Sequence, residues 1–70
     1  MEDYKERMKL EYQSLKERYD KLHAMLTKYD AKTLDFTPSC PIELLKKQAS
    51  VMYNYMYILE VRAQIEKIDL

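Results

Sequence analysis

Glycine and tryptophan are absent from the 70 residues, and cysteine, histidine and phenylalanine occur once each, as Cys40, His23 and Phe36. Without glycine there can be no glycine-rich phosphate loop, and left-handed turns lose their usual residue. A single cysteine rules out a disulfide within the chain. One cysteine and one histidine make no metal-binding set, so neither metal nor other cofactor is expected. The only prolines, Pro38 and Pro41, put all the strong helix breakers in one place. Charge of one sign is also lacking: twelve basic residues balance twelve acidic ones. Duplex nucleic acid, which calls for a basic excess against phosphate, is not an expected partner. No apolar run approaches the roughly 18 residues that a membrane span needs, and the opening Met-Glu-Asp-Tyr-Lys-Glu-Arg lacks a signal peptide's apolar core. A free cysteine fits a reducing cytosol.

A chain this short encloses little apolar volume, and proteins of this size commonly add disulfides, metal or further copies. Only the last is open here. What is present suits long helices: 47% hydrophobic and 34% charged residues with no glycine. The expected organisation is a single helical-hairpin domain over 1–70, with a helix at 3–29, a loop at 30–40 and a helix at 41–67.

The first helix carries Met8, Tyr12, Leu15, Tyr19, Leu22, Leu26 and Tyr29 at alternating spacings of four and three, a heptad seam. Tyr12, Tyr19 and Leu26 take the a positions; the others take d. Glu17 with Lys21, and Asp3 with Arg7, stand in the favourable acid-first i,i+4 order. Pro38 and Pro41 force Thr37 and Cys40 out of helical geometry, and Pro41 suits the start of a second helix, with Glu43 in its first turn. Leu34 and Phe36 are apolar enough to be expected to fold back over the end of the hairpin.

The second helix repeats the seam with Ile42, Leu45, Ala49, Met52, Met56, Leu59 and Ala63. Antiparallel pairing of Met8 with Ala63, Tyr12 with Leu59, Leu15 with Met56 and Tyr19 with Met52 keeps the residue numbers of each pair at one total. Leu22 with Ala49, Leu26 with Leu45 and Tyr29 with Ile42 continue it, always an a against a d. A slip by one heptad would keep the phase, but this register brings the helix ends level. The fold class is therefore all-α, an antiparallel two-helix hairpin assembling into a helical-bundle homo-oligomer.

Assembly is expected from a second stripe on the same helix: Leu44, Gln48, Val51, Tyr55, Ile58, Arg62 and Ile65. It is displaced about 100° from the first seam and cannot also face the first helix. From Gln48 to Leu59 there is no charged residue, the mark of a helix buried on more than one side. Leu44, Val51, Tyr55, Ile58 and Ile65 are the candidate oligomer interface, with a two-fold dimer the commonest closure.

Catalytic residues are not apparent, and an enzyme is not expected. His23 flanks the seam, where a partly buried polar role is the simplest. Cys40 borders a helix start, a position that can activate a thiol, but a small capping residue is the simpler assignment. Tyrosine is abundant, with seven copies. Tyr12 and Tyr19 belong to the seam, whereas Tyr53 and Tyr57 lie four apart on a third, otherwise polar stripe of Lys46, Ser50, Glu60, Gln64 and Lys67. Such a pair can stack on a planar ligand or close an interface. Asn54 lies between them, and Arg62 interrupts the apolar stripe with a guanidinium suited to phosphate or carboxylate. Tyr53, Tyr57, Asn54, Arg62 and Arg18, level with Tyr53 in the register, form the candidate ligand-binding set. Pairing of Arg62 with an acid of a neighbouring chain would be its structural role.

Two segments carry a family resemblance. One is Thr-Leu-Asp-Phe-Thr-Pro-Ser-Cys-Pro-Ile-Glu-Leu-Leu with Gln48, Met52, Tyr55 and Leu59-Glu60-Val61-Arg62-Ala63. The other runs from Arg7-Met8 through Glu11-Tyr12, Leu15-Lys16 and Arg18 to Lys21-Leu22. Together they resemble a family of short tailed-bacteriophage proteins named after a member in a crAss-like phage. The resemblance implies a phage protein acting in the cytoplasm of the infected bacterial host, and it carries no activity or site residue with it. Oligomeric phage sponges that capture nucleotide signals of bacterial immunity supply an analogy of fold and origin. The leading expectation is such a sponge, binding a cyclic nucleotide or ADP-ribose-derived molecule. The alternatives are a helical module that binds and inhibits a host protein, and a small structural or assembly protein of the virion.

Overall fold

In a computed structural model describing residues 4–70, helix α1 spans Tyr4–Asp30 and helix α2 spans Ile42–Glu66. The two pack against each other as an antiparallel hairpin, with no strand among the described residues. The expected starts at 3 and 41 differ in kind. Residue 3 lies outside the described residues, and so does the expected Asp3–Arg7 pair. At 41, Pro41 caps α2 from outside, with φ −57° and ψ 139°, and its carbonyl accepts from the Leu44 and Leu45 amides at 3.1 and 3.2 Å.

The expected seams are the ones that close. Met8, Leu15, Met56, Leu59 and Ala63 form one buried cluster, with Tyr12, Tyr19 and Met52 packed on it. Leu26 and Ala49 are buried nearer the loop. Among the described residues, Leu59 is the one fully buried large side chain, at 1% exposure. Tyr29 departs from the seam: it is the last d position of α1 and stands exposed, beside the Asp30–Lys46 bridge and the first turn of α2.

Each helix ends the same way in a chain without glycine. Lys67 is left-handed (φ 58°, ψ 48°), and the Ile68 amide donates to the Ala63 carbonyl at 2.8 Å. Lys32 is left-handed too (φ 63°), with Thr33 donating to Lys28 at 2.8 Å and Lys32 to Tyr29 at 3.1 Å. These are Schellman closures, in which glycine is the usual left-handed residue. At the end of α2 the reversal turns Ile68 back onto the core, where it is buried beside Ala63. Ile68 lies past the heptad pattern and was not expected there.

The loop corrects two expectations. Phe36 does not cover the hairpin end; it is 56% exposed, and only Leu34 is half-buried. Phe36 stands at a bend outside both helices, where no seam position holds its ring. Cys40 is exposed and does not cap α2, because Pro41 holds the cap position and no side chain bonds to it. On α1, Lys16–Asp20 at 3.2 Å forms in place of the expected Glu17–Lys21 pair. No described helix is long and apolar enough to cross a membrane.

Candidate functional site

The two flanks of the α1–α2 seam differ in chemistry. On one flank lie the side chains that follow d in the heptad. There Lys46 of α2 reaches Asp30 of α1 at 2.9 Å, and its hydrogen bond to that carboxylate raises its pKa. Further along, the Tyr53 ring sits 6.0 Å from that of Tyr19, and Tyr19 stacks on His23 at 5.5 Å with 27° between planes. His23 is therefore an exposed member of an aromatic run, where a partly buried polar flank was expected. At the open end, the Tyr12 hydroxyl donates to Glu60 Oε2 at 2.5 Å. That bond, reinforced by partial burial and the nearby carboxylates, pushes the Tyr12 pKa up to about 12.

Tyr53 and Tyr57 stand out from this flank, 59% and 62% exposed. Four residues is slightly more than one helical turn, so the two rings share a face. Tyr57 also lines an open groove of about 530 Å³ with Tyr12, Glu60, Val61, Gln64 and the reversed segment Ile68–Leu70. Its charged side chains are Glu60 and Asp69, so the groove repels a phosphate and has no guanidinium or ammonium to receive one. Sequence reasoning placed Tyr12 in the core and Glu60 on a polar stripe, and missed the bond that joins them. A residue number gives the level of a side chain along the hairpin but not the partner its polar end reaches.

The five candidate ligand residues divide between opposite sides of the hairpin. Arg62 follows Tyr53 by nine residues, about two and a half turns, and so points away from it. It bonds within its own helix, Nε to Glu66 Oε2 at 3.3 Å. Arg18 is level with Tyr53 but precedes an a position where Tyr53 follows a d, which places it on the other flank of an antiparallel pair. Its guanidinium donates to Ser14 Oγ at 3.0 Å, and Tyr53 meets Tyr19 instead. Asn54 is exposed about 100° from the tyrosine face. The structure thus brings Tyr53 and Tyr57 together and keeps both arginines apart from them.

The loop end holds two smaller hollows. One, of about 350 Å³, is lined by Tyr29, Lys32, Leu34, Phe36, Thr37 and Pro38. The other, of about 280 Å³, adjoins Cys40 and Glu43. No group of three or more potential metal ligands occurs among the described residues.

The five candidate interface residues are exposed on the outer side of α2: Leu44 55%, Val51 59%, Tyr55 39%, Ile58 53% and Ile65 73%. No curated protein and no solved structure matches the chain. A family model named Sequestin matches residues 2–65, both helices and the loop between them, and the chain belongs to the Sequestin family.

Proposed function

We propose that this protein is a phage anti-defence protein. It sequesters a nucleotide-derived immune signal, a cyclic nucleotide or an ADP-ribose derivative, within a helical homo-oligomer in the cytoplasm of the infected bacterium. The family name, Sequestin, speaks of sequestering and supports capture as the activity. The observation that carries the ligand class is the pair Tyr53 and Tyr57. They are two exposed, co-facing rings on a hairpin whose own core leaves them uncovered. Tyrosine faces stack on bases, Asn54 offers an amide to a base edge, and Arg18 and Arg62 offer guanidinium forks to phosphate. Because both arginines lie away from the tyrosine face, a ligand stacked on Tyr53 and Tyr57 takes its guanidinium from another copy. On this reading the oligomer is part of the site.

Isothermal titration of the wild-type protein, Tyr53→Ala and Arg62→Ala against a panel of cyclic dinucleotides and cyclic ADP-ribose isomers tests the assignment. Each substitution is expected to weaken binding by at least tenfold, about 1.4 kcal/mol. Unchanged affinity in both would refute the site. The exposed aliphatic row of α2 also suits a rival in which the chain docks on a host protein and blocks it. The rival predicts no nucleotide binding by any form of the chain.

A further inference from the structure

The outer stripe of α2 has a symmetry that its exposure alone does not reveal. Leu44, Val51, Ile58 and Ile65 recur every seven residues and form one aliphatic row, each more than half exposed. Beside it runs a second row of Gln48, Tyr55 and Arg62. Taken from either end, the stripe has the same order: aliphatic, polar, aliphatic, tyrosine, aliphatic, polar, aliphatic. A self-complementary patch of this kind is what a two-fold contact between identical chains requires.

We propose that the occupant of this stripe is a second copy of the chain, with the two α2 helices antiparallel and the two-fold axis passing beside Tyr55. The proposal rests on the homo-oligomer described above and fixes its direction and symmetry. A two-fold perpendicular to both helices keeps each row beside its own symmetry mate. The aliphatic rows then interdigitate, with the Leu44 end of one copy at the Ile65 end of the other. Arg62 comes level with Gln48 of the other copy, whose side-chain carbonyl accepts from a guanidinium. Parallel pairing would instead set the two Arg62 side chains level with each other, like charge against like. Antiparallel pairing separates them by 14 residues, about 21 Å.

The exposed area agrees with one missing contact. The chain exposes 5622 Å², whereas a compact monomer of 8.5 kDa exposes about 4700 Å². The excess of roughly 900 Å² is close to the roughly 800 Å² that each partner buries in a standard interface. Tyr53 and Tyr57 lie on the far side of α2 from this contact and stay open to a ligand and to the further copy that supplies its guanidinium, while Arg62 serves the site through the pairing.

Single-cysteine variants in a Cys40→Ser background, treated with a short bis-maleimide, test the pairing. Tyr55→Cys is expected to link to itself. Leu44→Cys is not, because its mate lies about 31 Å away along the helix, but Leu44→Cys mixed with Ile65→Cys is expected to link. Ile58→Glu, with helical content checked by circular dichroism, is expected to convert the assembly to a folded form with at least tenfold weaker self-association. Self-linking of Leu44→Cys as efficient as that of Tyr55→Cys would overturn the antiparallel arrangement. A wild-type monomer in native mass spectrometry would overturn the pairing altogether. Titrating the linked pair with the same nucleotide panel separates the two claims. A linked assembly that binds nothing upholds the pairing and refutes capture; nucleotide binding without the expected Tyr55→Cys self-linking upholds capture and refutes the pairing.

Discussion

A glycine at position 67 should leave this protein more stable than an alanine there, although it adds no contact. Lys67 holds a left-handed conformation at φ 58° so that Ile68 can turn back onto the core. A residue with a Cβ gives up roughly 1–2 kcal/mol in that region, and glycine avoids the clash. Glycine also gains freedom in the unfolded chain, which offsets part of the benefit, and the lysine charge near the helix C-terminus contributes about 0.3–1 kcal/mol that is lost. Against alanine at the same position, where the charge is equally lost, a net gain of about 0.5–1 kcal/mol for Lys67→Gly follows, or about 2–8 °C in Tm for a domain of this size. Lys67→Ala separates the terms, since it loses the charge and keeps the Cβ; it should be slightly less stable than the parent. Lys32, left-handed at φ 63° at the other end of a molecule 46 Å long, should behave alike and add independently. Thermal unfolding followed by far-ultraviolet circular dichroism at one protein concentration is the assay. If Lys67→Gly and Lys32→Gly proved no more stable than their alanine counterparts, the backbone reasoning would be wrong.

Two further predictions concern the seam. Leu59→Ala should cost about 2–5 kcal/mol, as large-to-small core changes do, which is a large share of the stability of a 70-residue chain; a loss below about 1 kcal/mol in urea unfolding would place the core elsewhere. Tyr12, whose pKa is raised to about 12 by its bond to Glu60, stabilises the fold fully below the ordinary tyrosine value near 10 and loses that contribution as pH rises through 12. Ultraviolet titration of the phenols should show one late-ionising group that disappears in Tyr12→Phe, and a late group that survived the substitution would contradict this.

The hairpin was legible because its information is periodic. Fourteen positions in two heptad runs fix phase, direction and register together, and thirteen of them are buried or half-buried; only Tyr29, at the loop end of α1, is exposed. What escaped the sequence lies where periodicity stops. Ile68 enters the core through a left-handed lysine, and no pattern of apolar spacing marks such a reversal when glycine is absent. Phe36 is apolar yet exposed, at a bend in the loop outside both heptad runs. The split of the candidate site had a different cause. Level along the hairpin places Arg18 beside Tyr53, but flank follows from heptad position, and only the Tyr19–Tyr53 contact and the Arg18–Ser14 bond make the division visible.

Capture of a nucleotide by an assembly of this chain is the central claim, and native mass spectrometry of the purified protein with and without the nucleotide panel tests it most directly. The predicted result is one discrete oligomer with an even number of copies that gains a fixed number of ligand masses for one class of nucleotide. A discrete oligomer whose mass no nucleotide changes would contradict the capture function.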